Sequence, residues 1–209
     1  MDEATLPLFP LNVVLFPGSA LPLHIFEERY KVLIGKCIEV KGMEFGINFV
    51  DVDKMSLVGC TAQVHEVTKR YEDGQLDIVV EGRRRFEIQA IEENAAPYNV
   101  GTVLFFGDVS EETNPRLVDE TLTLYHQLVE VVYKGRLPQL FIESAGPDVS
   151  FVIARKAGMD LQQRQRLLEM RSENRRLKLL RSYLSAVIPR LQHSEEIQRV
   201  INSDGYIMN

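Results

Sequence analysis

The chain has 209 residues, 45% of them hydrophobic and 26% charged, and a formal net charge of −6. The length suits one large domain or two small ones, and the apolar content can bury a core, which excludes wholesale disorder. No apolar stretch approaches the ~20 residues of a membrane-spanning helix, and the acidic start, Met1-Asp2-Glu3, is unlike a signal peptide, so a soluble, cytoplasmic protein is expected.

The first part of the chain reads as β-rich. Apolar runs at 6–9, closed by Pro10, and 13–16, closed by Pro17-Gly18, predict short strands. The run at 21–26 is demoted by Pro22 to an edge or irregular strand. Tyr30, Leu33, Ile34, Cys37 and Ile38 then fall on one face of a helix, opened by acidic residues that suit the positive end of its dipole. A strand follows over 43–50, then a long one over 57–71 in which Val58, Cys60, Ala62 and Val64 alternate. Asp73-Gly74 marks a hairpin, and the return strand carries Leu76, Ile78, Val80, Phe86 and Ile88 in one parity, with a bulge or bend at Gly82. A last strand occupies 99–106. Six or so mainly antiparallel strands with Pro and Gly corners predict a curved sheet that closes into a small barrel, which protects the strand edges.

From Asn114 the period changes from two to 3.6. Leu117, Leu122, Leu124, Tyr125, Leu128, Val129 and Val132 form an apolar stripe ending at Lys134-Gly135, with Pro138 beyond. Asp148 can cap a second helix through Phe151, Val152 and Ala154 to Gly158. Asp160 can cap a third, longer one through Leu167, Leu168, Leu177, Leu180, Leu184 and Ile188, which Pro189 kinks or nearly ends. The reading is α+β, with a β domain over 1–110, a helical subdomain over 111–195 and a polar, fraying tail over 196–209. The charge split agrees with that division: residues 1–110 hold 10 basic and 17 acidic side chains, a net of −7, and 111–209 hold 14 and 13, a net of +1.

The run Leu6-Pro7-Leu8-Phe9-Pro10-Leu11-Asn12-Val13-Val14-Leu15-Phe16-Pro17-Gly18, followed by Leu21-Pro22-Leu23-His24-Ile25-Phe26-Glu27-Glu28-Arg29-Tyr30, strongly resembles the N-terminal domain of Lon proteases. Phe45-Gly46-Ile47, Val58-Gly59-Cys60, Asp73-Gly74 and Gly82-Arg83-Arg84-Arg85-Phe86 fit the family in the same order, as do Gln165-Arg166-Leu167-Leu168-Glu169 and Arg176-Leu177. The resemblance spans most of 6–190 and implies a PUA-like β barrel followed by a helical bundle, which takes part in substrate recognition. It makes Pro10, Phe26, Glu27, Arg29, Tyr30, Gly59, Asp73, Gly74, Gly82 and Phe86 family-motif positions with structural roles. Full-length family members add a nucleotide-driven motor and a Ser–Lys peptidase, whereas no G-x-x-x-x-G-K-[ST] loop occurs in these 209 residues. The chain therefore looks like a stand-alone relative without ATPase or peptidase, a binding module that takes no cofactor and is no enzyme.

Candidate catalytic groups weigh little beside this. Cys60 and His65 lie five residues apart on one strand and point to opposite faces, and Cys37 and Cys60 read as buried free thiols. His24, His65, His126 and His193 are scattered without metal-ligand spacing. Phe9, Phe16, Pro17, Pro22 and Phe26 read as core and corner residues of the barrel. The other reading makes the loop Leu15-Phe16-Pro17 and the segment with Pro22 and Phe26 candidate contacts for unfolded chain, the latter by strand addition. Arg83-Arg84-Arg85 are expected in structural pairs, with Glu66 or Glu87 as partners and Arg84 in the parity of the apolar face. The residues 164–181, read as one helix, carry seven basic and two acidic side chains, and Arg171, Arg175 and Lys178 are its candidate docking face. The implied partner is an unfolded or partly exposed polypeptide or a specific protein, and a weak homodimer stays open. The alternative is an RNA-binding PUA-like protein using Arg83 to Arg85 and the basic face of 160–190, against which the −7 of the β half argues.

Overall fold

The structure is a computed structural model that describes residues 2–52, 54–92, 96–134 and 148–204. In chain order the elements are β1 (Glu3–Leu11), β2 (Ala20–Ile25), α1 (Glu28–Glu39), β3 (Glu44–Asp51), β4 (Lys54–Arg70), β5 (Leu76–Glu92), β6 (Val100–Phe106), α2 (Pro115–Tyr133), α3 (Val149–Ala154), α4 (Leu161–Glu169) and α5 (Glu173–Asp204). They group into two compact units, Met1–Asp108 with Asp160–Arg171, and Val109–Met159 with Ser172–Asn209.

In the first unit β4 and β5 are 17 residues each, long enough to take two partners in succession. The first half of β5 pairs with β2 and the second half with β6, while β4 runs antiparallel along both β3 and β5. A parallel β1–β3 pairing and an antiparallel β1–β6 pairing complete a closed circuit of five strands, with β2 outside it as an edge. Register shifts at Cys60/Ala62, Val64/Glu66 and Val67/Lys69 of β4 and at Ile88/Ala90 of β5 supply the bends that such a curved, mixed sheet needs. Leu6, Leu8, Phe86, Ile88 and Val103 pack inside. The helix face read from the sequence is the one α1 buries, with Tyr30, Leu33, Ile34 and Cys37 inward.

The segment 13–16 is not a strand. Val14, Leu15 and Phe16 are nonetheless buried, because the chain turns at Pro17-Gly18 and docks on β5. Gly18 N donates to Gly82 O at 2.8 Å, and Gly82 N donates to Ser19 O at 2.9 Å. Several of the family-motif residues make local contacts. Tyr30 stacks on Phe9 with ring centroids 3.8 Å apart, Glu27 precedes α1 and pairs with Arg29, and Gly74 adopts φ 81° in the hairpin turn where Asp73 accepts the Gln75 amide. Pro10 lies half-buried in β1.

The second unit is helical. Asn114 caps α2 through Leu117 N, and the inward face of α2 includes Val118 and Thr121, whereas Val132 is exposed. The expected stop at Gly135 and Pro138 lies outside the described residues. Asp148 makes no side-chain cap to α3 and instead lies 3.5 Å from Arg176. Pro189 sits inside α5 without ending it, and the helix continues to Asp204. Ser185 and Pro189 are both exposed, so the carbonyl that the proline leaves unbonded faces water.

The long helix expected from Asp160 is two helices, and the first of them groups with the sheet. Asp160 and Gln163 form a capping box on α4. The Arg85 guanidinium donates to Leu168 O at 3.1 Å and Met170 O at 2.5 Å, closing the C-terminal end of α4. Ser172 starts α5 anew, its hydroxyl accepting from Arg175 N at 3.1 Å. No described helix is long and apolar enough to cross a membrane.

Candidate functional site

In the first unit, the hairpin between β3 and β4 is irregular. Asn48 pairs with Gly59 and Val50 with Met55, so Phe49 alone faces Ser56, Leu57 and Val58. The extra residues bow β4 outward, and Asn48 Nδ2 pins the bow by donating to Ser56 O at 3.0 Å. The β5 ladder reaches β4 only as far as Val58, so among the described residues Lys54 and Met55 pair with β3, Ser56 and Leu57 lie in the bulge, and none of the four has a strand on the other side. Helix α4 lies alongside, tied by Gln162 to Asp51 at 2.7 Å and by Gln165 to Val58 O at 3.0 Å.

Between them is a groove of about 780 Å³, lined by Phe49, Met55, Leu57 and Val58 with Asp51, Lys54, Arg166 and Glu169 as its charged groups. Leu57 is 55% exposed. Two acidic and two basic groups leave the groove without net charge. Gln165 is 4% exposed, and its Nε2 donates to both Val58 O and Glu169 Oε1. Two acceptor partners fix that atom as the nitrogen, so the buried Oε1 is the acceptor left unpartnered. Asn48 Oδ1, on a wholly buried side chain, is likewise unpartnered.

The residues singled out from the sequence divide. Leu15 and Phe16 are 3% and 0% exposed and belong to the core, so they offer no surface to a ligand. Pro17 is half-buried beside them. Pro22 and Phe26 are exposed at and just after the edge strand β2, Phe26 at 60%. Beside Phe26, His24 Nδ1 lies 2.6 Å from Asp77 Oδ1 and Nε2 lies 2.8 Å from Gln75 Oε1, and the Tyr71 hydroxyl donates to Asp77.

The hydrogen bond to Asp77 raises the His24 pKa, and the same bond, with that of Tyr71, lowers the Asp77 pKa. A raised histidine stabilises the fold below its unfolded value of about 6.5 and loses that contribution as pH rises through the folded pKa. A lowered aspartate stabilises above about 3.9 and loses it as pH falls. Both contributions are therefore present between about pH 4 and 6.5. An NMR titration should show His24 with a pKa above about 6.5, returning to that value in Asp77→Asn. A titration that is the same in both proteins would refute the pairing.

The candidate basic residues are divided between the two units. Arg83 pairs with Glu81, Arg84 pairs with Glu44 and covers Phe105, and Arg85 is the buried member, paired with Asp108. Glu66 and Glu87 are not their partners, and Arg84 points outward because the register shift near Gly82 breaks the alternation. Arg171 donates to Gly107 O in the first unit, Arg175 and Lys178 are exposed on α5 in the second, and Arg176 is fully buried. The thiols are core groups: burial pushes Cys37 up to about 11 and Cys60 up to about 12, which keeps both protonated at neutral pH.

Sequence reading missed the groove. One sign was available: Gln165 occupies the buried face of α4 between Leu161 and Leu168, a polar amide in an apolar stripe.

Residues 5–186 match the family model described as the ATP-dependent protease La (LON) substrate-binding domain. The Lon protease of Xanthomonas oryzae pv. oryzae is 27% identical over 212 residues, covering 95% of this chain and 25% of that protein. The Lon protease of Parabacteroides distasonis is 30% identical over 123 residues, 55% of this chain and 14% of that protein. The chain thus spans a quarter or less of these curated relatives. Among solved structures, the Lon N-terminal domain protein from Xanthomonas campestris superposes with a TM-score of 0.65 at 26% identity, covering 85% of this chain and 96% of that one. The N-terminal domain of the Mycobacterium avium complex Lon protease gives 0.63 at 20% identity, covering 87% and 98%, and shares the fold.

Proposed function

The chain belongs to the family of ATP-dependent protease La (LON) substrate-binding domains, and on that premise we propose that it is a non-catalytic, cytoplasmic module that engages exposed apolar stretches of polypeptide. The observation that carries the reading beyond the family is the groove beside the bowed part of β4. It joins an exposed apolar side chain, balanced charge and the unpartnered acceptor of Gln165 in one concavity. Such a surface suits uncharged, apolar chain and offers little to a polyanion. Of the basic residues that an RNA reading would use, Arg83, Arg84 and Arg85 are engaged by Glu81, Glu44 and Asp108, which leaves it the basic face within 160–190. Pro22 and Phe26 add a second exposed apolar surface in the same unit.

The test is fluorescence anisotropy with a labelled, reduced and S-carboxymethylated α-lactalbumin, with the native protein as folded control and RNA as competitor. Saturable binding of the unfolded form alone, unmoved by RNA, is the expected result. Absence of binding up to ~1 mM, the weak end of useful affinity, would overturn the proposal.

A further inference from the structure

We infer that the groove reads the main chain of its ligand: an extended, apolar, uncharged segment adds as a strand to the open edge of β4 at residues 54–57. The inference rests on the polypeptide-binding reading and specifies its site and mode. An unpaired strand edge presents backbone N–H and C=O groups in a row, and a chain in β conformation satisfies them at ~4.8 Å from the edge strand. The stretch is bulged at Ser56 and Leu57 and the Ser56 carbonyl is held by Asn48 Nδ2, so it offers its remaining main-chain groups to a short segment only.

Among the described residues other strand edges are open too, among them β4 beyond Gln63, which β3 does not reach and which carries exposed Glu66, Lys69 and Arg70, and the outer edge of β2; their chemistry separates them from 54–57. The outer edge of β2 contains Pro22, which has no N–H to donate, and proline is a common device against edge pairing. The β4 edge at 54–57 contains no proline and has a wall. Leu57, 55% exposed, with Phe49 and Met55 gives apolar side chains somewhere to lie, while Lys54 and Arg166 offset Asp51 and Glu169, so a charge of either sign gains nothing overall.

The unpartnered Gln165 Oε1 supplies the second observation. A buried acceptor without a donor is costly, and Gln165 cannot relieve it by rotating its amide, because both Nε2 hydrogens are already committed to Val58 O and Glu169. A main-chain N–H of the entering segment can supply the donor. The atom is covered in the free protein, so this bond forms when side chains over it part as the ligand enters.

The experiment uses the whole chain and two kinds of probe. The first is the labelled S-carboxymethylated α-lactalbumin, bound to wild type and to Leu57→Asp and Leu57→Lys. Leu57 is exposed, so both variants should keep the wild-type melting temperature, and both should bind at least tenfold more weakly. The second is a ten-residue peptide of alternating valine and serine used as competitor, beside the same peptide N-methylated at odd or at even residues. Strand addition requires one N-methyl phase to compete at least tenfold worse than the parent, since it removes the donors that face the edge. If wild type binds the unfolded protein but both Leu57 variants bind equally well, the site is wrong and the broader reading survives. If both N-methyl phases compete like the parent, recognition is by side chains and strand addition is overturned. If wild type binds no unfolded chain, or RNA displaces it, both the inference and the reading fall.

Discussion

Replacing Arg176 with leucine should destabilise the helical unit by about 3–5 kcal/mol, the range for breaking a buried ion pair by removing one partner. Arg176 is fully buried and Glu173 is 5% exposed. The Arg176 Nε donates to Ser150 Oγ at 2.7 Å and to Glu173 Oε2 at 3.1 Å, and its Nη2 reaches Glu173 Oε2 at 2.6 Å. Glu173 also accepts from the Ser150 amide and hydroxyl, and the guanidinium stacks 4.3 Å from the Phe151 ring centroid. One charge pair therefore joins the first turn of α5 to the start of α3. Leucine leaves the Glu173 carboxylate in place with two Ser150 donors and no cation.

Desolvation makes this different from an exposed pair such as Arg116 with Glu120, which solvent and salt screen. The double variant Glu173→Met/Arg176→Met should lose much less than the sum of its single variants, because neither charge is then stranded. Urea unfolding followed by circular dichroism at 222 nm measures wild type, Arg176→Leu and the three Met variants. A loss below about 1 kcal/mol in Arg176→Leu, or strict additivity in the cycle, would show that the pair does not act as a unit.

What could be read in the sequence follows from the range of the forces involved. Alternation along β4 and β5, the Asp73-Gly74 turn and the buried face of α1 are local periodicities, and the structure follows them. The apolar run 13–16 had the composition of a strand, yet its backbone is spent on a turn that docks against Gly82, a partner more than sixty residues away. The division of the long C-terminal helix had a local sign, Ser172 followed by acidic Glu173, but what closes α4 is Arg85 from β5. The groove was illegible for the same reason. It depends on β4 holding two more residues than β3 across one stretch of the ladder, a property of register and not of either strand alone.

Gly59→Ala should be strongly destabilising, costing about 3 kcal/mol, the upper end for overpacking. A Cβ built at Gly59 would lie 2.6 Å from Ile47 O, 2.6 Å from Phe86 Cζ and 2.8 Å from Asn48 Nδ2. None of the three can retreat cheaply. Ile47 is held between β1 and β4, Phe86 is fully buried in the barrel interior, and Asn48 pins the bow of β4 through Ser56 O. The same change at Gly35 in α1 meets nothing within 4 Å and should stabilise by about 0.5–1 kcal/mol, since alanine restricts the unfolded chain and favours helix. Opposite signs for one chemical change would assign the cost at Gly59 to space. Because the displaced Asn48 amide holds the bow, Gly59→Ala should also weaken binding of unfolded polypeptide at a temperature where the variant is still folded. Full affinity in a destabilised Gly59→Ala would separate the bow from recognition and place the binding surface elsewhere on the unit.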